Sequence, residues 1–185
     1  MTMRFRAALL ALIIANGGCR SADTHNAAGA SEAAASVETG DADAGQVALR
    51  IRTAGGAEHP FTVELAIDPQ SQQRGLSGRT ALADDRGMLF PFAYPQTASF
   101  WMKDTPLALD LLFIRPDGTI AAILHGKPND LHPLSAGEGI SAVLEIAQGR
   151  AAALGIAAGD RVQWGDCAGP APVAGVWRAD RFCPE

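Results

Sequence analysis

Short runs of alternating apolar and polar residues dominate the chain from residue 47 onward. Residues 47–53 alternate, and residues 61–67 (FTVELAI) do so again, the period of strands with one buried face. Asp68 and Pro69 then supply an N-cap and a first-turn proline for a short helix ending near Gly75. Residues 87–92, 99–102, 108–114 and 119–124 read as further strands. Arg115, Pro116, Asp117 and Gly118 join the last two as a tight turn, proline presetting φ and glycine relieving strain. Residues 141–147 make another strand, 149–154 a one- to two-turn helix stopped by Gly155, and 161–164 a final strand. Short strands, frequent turns and one or two small helices predict a mainly β domain over residues 46–165, a compact sandwich or small barrel.

The front of the chain has a different pattern. Arg4 and Arg6 precede the apolar run AALLALIIA (residues 7–15), and Gly17, Gly18 and Cys19 follow. This is the layout of a secretion signal over residues 1–18. Nine apolar residues make a helix of about 14 Å, too short for the ~30 Å core of a bilayer. Cys19 after such a run resembles the acylated cysteine of bacterial lipoproteins, although Asn16 departs from their usual pattern. The other reading is ordinary cleavage after Gly17. Acylation would hold the protein durably on a membrane, at about 0.8 kcal/mol per buried methylene. Residues 19–45 are mostly Ala, Gly, Ser, Asp and Glu, with too little apolar bulk to offset ordering entropy, so a disordered tether is expected. The expected address is the cell envelope, on its periplasmic side.

Composition narrows the partners. Of 185 residues, 48% are hydrophobic, enough for one core, and the formal net charge is −5. That balance argues against a nucleic-acid partner, which needs a concentrated basic surface. If Cys19 is lipidated, Cys167 and Cys183 remain as a pair in an oxidising compartment. A disulfide between them would close the Pro- and Gly-rich tail of residues 166–185. No cofactor motif is found, and His125 and His132, in the stretch HGKPNDLH, lack the spacing of a metal site.

The ordered motifs resemble one family. Arg74, Gly75, Leu76 and Arg79 come first, then Gly87-Met88-Leu89-Phe90, FWMKDT (residues 100–105) and Leu109-Asp110. Asp117-Gly118, Val143-Leu144-Glu145 and Gly159-Asp160-Arg161-Val162 follow. This series, over residues 61–162, is similar to the family catalogued as domain of unknown function 192. Ser77 and Asp104 stand where that family usually has Met and Asn. The resemblance implies a compact β-rich domain, often exported, and carries no established activity.

The residues themselves suggest a binding site. In FWMKDT, alternation puts Phe100 and Met102 on one face and Trp101 and Lys103 on the other. An indole beside an ammonium suits the stacking of a ring and the pairing of an anion or hydroxyl. The structural alternative is a Trp101 buried under a loop, with Lys103 reaching out to water. Glu64, Asp110 and Glu145 interrupt apolar strands, where a carboxylate needs a partner or a pocket. Arg74, Arg79 and Lys103 are the available cations.

The candidate ligand set is therefore Arg79, Trp101, Lys103, Asp110 and Glu145, with no catalytic residue assigned. The leading expectation is a non-catalytic module binding a small polar or saccharide-like ligand. One alternative is a hydrolase or lyase on an envelope polymer, with Asp110 and Glu145 as acid and base. Another is a protein-interaction lipoprotein, marked by an apolar patch beside Trp101.

Overall fold

The computed structural model describes residues 45–168 and 178–184. The secretion signal, Cys19 and the tether up to residue 44 lie outside the described residues, as do tail residues 169–177. Seven strands form within them: β1 (Gln46–Arg52), β2 (Glu58–Leu65), β3 (Arg86–Gln96), β4 (Leu109–Ile114), β5 (Ile120–Gly126), β6 (Ile140–Ala147) and β7 (Arg161–Trp164). Two short helices accompany them, α1 (Pro69–Arg74) and α2 (Arg150–Ala153). All seven strands belong to one sheet, ordered β5-β4-β6-β3-β2-β1-β7.

The sheet curls until its two edges touch at one corner. Thr119 bridges Arg161, Ile120 N–H donates to Asp160 O, and Val162 N–H donates to Gly118 O, both at 2.8 Å. Elsewhere the seam stays open. The mainly β architecture expected from the alternation is therefore present, as a curled sheet between sandwich and barrel.

One expected strand is absent. Residues 99–102 make a single bridge, Phe100 to Leu134, rather than a ladder. Their backbone groups bond instead to the loop at 130–134, with Met102 N–H donating to Asp130 O at 2.8 Å. The alternation there was real, because Met102 is buried and Trp101 and Lys103 are exposed. An extended segment alternates whether or not a neighbouring strand pairs with it.

Five of the six strand pairings are antiparallel, and one is not. β2 and β3 run parallel, with Thr62 opposite Arg86 and Leu65 opposite Leu89. Parallel neighbours need a crossover, and α1 lies in it. Asp68 caps α1, accepting from Gln70 and Ser71 N–H at 2.9 Å, while Ser71 Oγ donates back to the Asp68 carboxylate. Pro69 occupies the first turn, where its missing N–H costs nothing.

The curl gives the central strands two buried faces. On the concave side Leu49, Ile51, Phe61, Val63, Leu89, Leu112, Leu144, Ile146 and Val162 pack into the main core. On the convex side Leu76, Met88, Phe90, Met102, Leu111, Phe113 and Val143 form a second layer, covered by the crossover and the β3–β4 connection. Every residue of β4 is consequently buried, which explains its nearly unbroken apolar run LDLLFI. Gly87 marks a close strand approach: a Cβ there would lie 2.6 Å from Glu145 O on β6.

The tail returns to β7. Cys167 and Cys183 are joined by a disulfide, and Phe182 stacks on Trp164 with ring centroids 4.5 Å apart. Trp164 Nε1–H also donates to Ala179 O at 3.0 Å. Replacing both cysteines by serine is expected to cost about 3 kcal/mol in the chain-entropy model. Thermal unfolding should show that as a loss of roughly 10 °C with the β-sheet spectrum intact. An unchanged melting temperature would mean that the stacked Trp164 and Phe182 hold the tail without the bridge.

Candidate functional site

Three chain segments meet over the convex face of the sheet. The end of α1 and the turn after it bring Gln72, Gln73, Arg74, Gly75 and Ser77, and the β3–β4 connection brings Trp101, Lys103 and Asp104. The sheet itself supplies Phe90 and Phe92 from β3 and Glu145 from β6. Between them lies a cavity of about 500 Å³, within the range of small-molecule sites.

Backbone contacts fix the mouth of this cavity. Gly78 N–H donates to Asp104 O at 2.8 Å, and Ser77 Oγ donates to Lys103 O at 3.1 Å. Thr105 Oγ donates to the same Lys103 oxygen at 3.1 Å. Ser77 thus ties the two rim segments together. Asp104 has φ +54°, the left-handed region that Asn and Asp enter more readily than other side-chain-bearing residues. Gly75, at φ +50°, turns the chain out of α1, and a Cβ there would sit 3.4 Å from the Phe90 ring.

Aromatic rings shape the wall. Phe90 meets Phe100 edge-to-face at 5.1 Å, and Phe100 meets Phe113 in the same way at 6.1 Å. Trp101 stands at the mouth, 59% exposed.

Glu145 is the unusual member. It lies between Met88 and Leu111 in the sheet and is only 5% exposed. No hydrogen bond or ion pair reaches its carboxyl from any described residue. The other buried carboxylates are satisfied. Asp160 accepts from Ala54 and Ala157 N–H, both at 2.8 Å. Asp110 accepts from Ala151 N–H at 3.1 Å and lies 2.8 Å from His125 Nδ1. Burial alone pushes the Glu145 carboxyl up to about 8, so it is mostly neutral at pH 7.

The sequence candidates divide accordingly. Trp101, Lys103 and Glu145 line the cavity together. Arg79 does not; it forms a two-pronged pair with Glu64, Nη1 to Oε1 at 2.6 Å and Nη2 to Oε2 at 2.5 Å. Asp110 does not either. Its register partner on β6 is Ile146, whereas Glu145 faces Leu111, so the two carboxyls point to opposite faces of the sheet. The acid and base pair of the hydrolytic alternative is not assembled. Arg74 enters the site in their place, at the last turn of α1. The sequence marked Arg74 only as one of the available cations and as the first residue of the family motifs. His125 is the penultimate residue of β5, and its ring is held by Asp110. Among the described residues no group of His, Cys, Asp and Glu could hold a metal ion.

Comparison with known proteins places this architecture. The sequence profile of DUF192, described as "Uncharacterized ACR", matches residues 50–164. The chain belongs to the DUF192 family. Two crystal structures share the DUF192 fold with it. A "putative transcription regulator" from Sinorhizobium meliloti 1021 is 39% identical, with a TM-score of 0.65, and the match covers 68% of this chain and 98% of that one. A protein of unknown function from Novosphingobium aromaticivorans DSM 12444 is 40% identical, with a TM-score of 0.62, over 64% of this chain and 85% of that one. No curated protein matched the chain.

Proposed function

We propose that this DUF192 domain is a non-catalytic binding module of the cell envelope, taking a small polar, saccharide-like ligand in the convex-face cavity. The observation that carries the proposal is Glu145, a buried carboxyl without a partner among the described residues, at a cavity whose mouth holds an exposed indole. A polar group left unpaired in a core costs about 1–3 kcal/mol, and a ligand hydroxyl would satisfy it. Trp101 offers a face on which a sugar ring can stack. Export and a lipid anchor at Cys19 remain part of the proposal, and the bonded Cys167 and Cys183 support an oxidising compartment. The regulator name of the Sinorhizobium protein is not carried over, since a formal net charge of −5 gives no support to nucleic-acid binding.

Thermal-shift measurements against mono- and oligosaccharides test this reading. A ligand at a hundred times its Kd should stabilise the domain by about 2.7 kcal/mol. Trp101→Ala should fold normally, since the side chain is exposed, and should lose at least tenfold in affinity. Equal shifts in wild type and variant would remove Trp101 from the site. The absence of any shift in wild type would overturn the proposal.

A further inference from the structure

Resting on that reading of the cavity, we infer that its ligand is a hydroxylated ring carrying one acidic group, the shared chemistry of a sugar acid and a sugar phosphate. The mouth and the interior select different ends of such a molecule. Arg74 and Lys103 both line the cavity and are exposed, and neither makes an ion pair with a described residue. Apart from the buried Glu145, which burial keeps mostly neutral, Asp104 is the single acid among the lining residues, against those two cations. The rim therefore carries a net positive charge that favours an anion. An Arg and a Lys side by side suit a carboxylate or phosphate, the guanidinium as a fork and the ammonium as a point charge.

The interior requires the opposite character. Glu145 sits among Phe90, Met88 and Leu111, and among the described residues the only charged groups lining its cavity are Arg74 from α1 and Lys103 and Asp104 from the β3–β4 connection. An ammonium or carboxylate carried inward would lose its hydration against aromatic walls. A neutral carboxyl both donates and accepts a hydrogen bond, which matches a hydroxyl. The ligand's acid thus stays at the rim, its ring lies against Trp101, and a hydroxyl reaches Glu145.

Titration calorimetry on the folded domain with glucuronic acid, glucose 6-phosphate, glucose and glucosamine tests the assignment. The two acidic sugars should bind at least tenfold more tightly than glucose, and glucosamine no better than glucose. Arg74→Ala combined with Lys103→Ala should cut the acid preference to within twofold; both side chains are exposed, so folding is retained. Which acidic sugar binds more tightly separates a carboxylate site from a phosphate site. Affinity for glucuronic acid, which is ionised throughout this range, should hold steady from pH 5 to 7 and fall above pH 8, as Glu145 ionises, and Glu145→Gln should abolish that fall. Glucose or glucosamine binding as tightly as the acids would overturn the anionic assignment and leave the binding function standing. If no sugar binds the wild-type domain, both the assignment and the function proposed above fail. A pH profile unchanged by Glu145→Gln would remove Glu145 from the contact.

Discussion

Glu145→Gln is expected to stabilise the free domain by about 3 kcal/mol at pH 7, the equivalent of the 2.5 units by which that pH exceeds the group's ordinary value of 4.5. The sign follows from proton binding. In the unfolded chain the carboxyl ionises around pH 4.5, whereas in the folded domain it holds its proton to about pH 8. Between those values the folded state binds more protons, so stability falls as pH rises. Below about 4.5 the group is neutral in both states and costs nothing by ionisation; above about 8 the full difference, on the order of 5 kcal/mol, is reached. Glutamine has the same shape and no charge, so it removes the pH-dependent part alone. Urea unfolding at pH 5, 7 and 9 should show a gap between variant and wild type that widens steadily. Parallel pH profiles would mean that water or a shifted loop solvates Glu145 in the folded domain. A binding residue that destabilises the unliganded protein is the familiar exchange of stability for function.

Asp110→Ala should have an effect of similar size and opposite sign. The Asp110 carboxylate is fully buried and accepts from Ala151 N–H at the start of α2 while holding the exposed ring of His125. Its removal leaves a buried N–H without an acceptor, opens a small void and frees the histidine. Hydrogen bonds to a charged group are worth about 1.5–3 kcal/mol each, so a loss of about 3 kcal/mol is expected in chemical unfolding. Ligand-induced stabilisation should survive, because Asp110 faces the concave core and the cavity lies on the convex side. The outcome separates two roles for a carboxylate inside an apolar strand. If Asp110→Ala left stability untouched and abolished the ligand response, Asp110 would belong to the site and the division drawn from the sheet register would be wrong.

The contrast between these two acids shows what one chain can reveal. Period-two alternation alone puts Asp110 with Leu112 and Ile114, and Glu145 with Val143. Both placements hold in the folded sheet, where Leu112 and Ile114 lie in the concave core and Val143 in the convex layer. What alternation lacks is a common reference between strands. Whether two strands turn corresponding residues to the same face depends on register, and register is a property of the pairing. Likewise, Glu64, Arg79 and Lys103 were visible as a set of possible partners. The two-pronged contact between Arg79 and Glu64, which leaves Lys103 free for the rim, depends on the β2–α1–β3 crossover that brings residues 64 and 79 together.

Seven of the eight expected strands, the turn at 115–118, the capped helix α1, the pairing of Cys167 with Cys183 and the family were readable from the sequence, because each rests on local spacing, local φ preferences or residue identity. The curl of the sheet, the parallel crossover and the lack of a partner for Glu145 among the described residues were decided only by the tertiary structure. Burial and hydrogen-bond satisfaction depend on residues far apart in the chain, and no window along the sequence contains both members of such a contact.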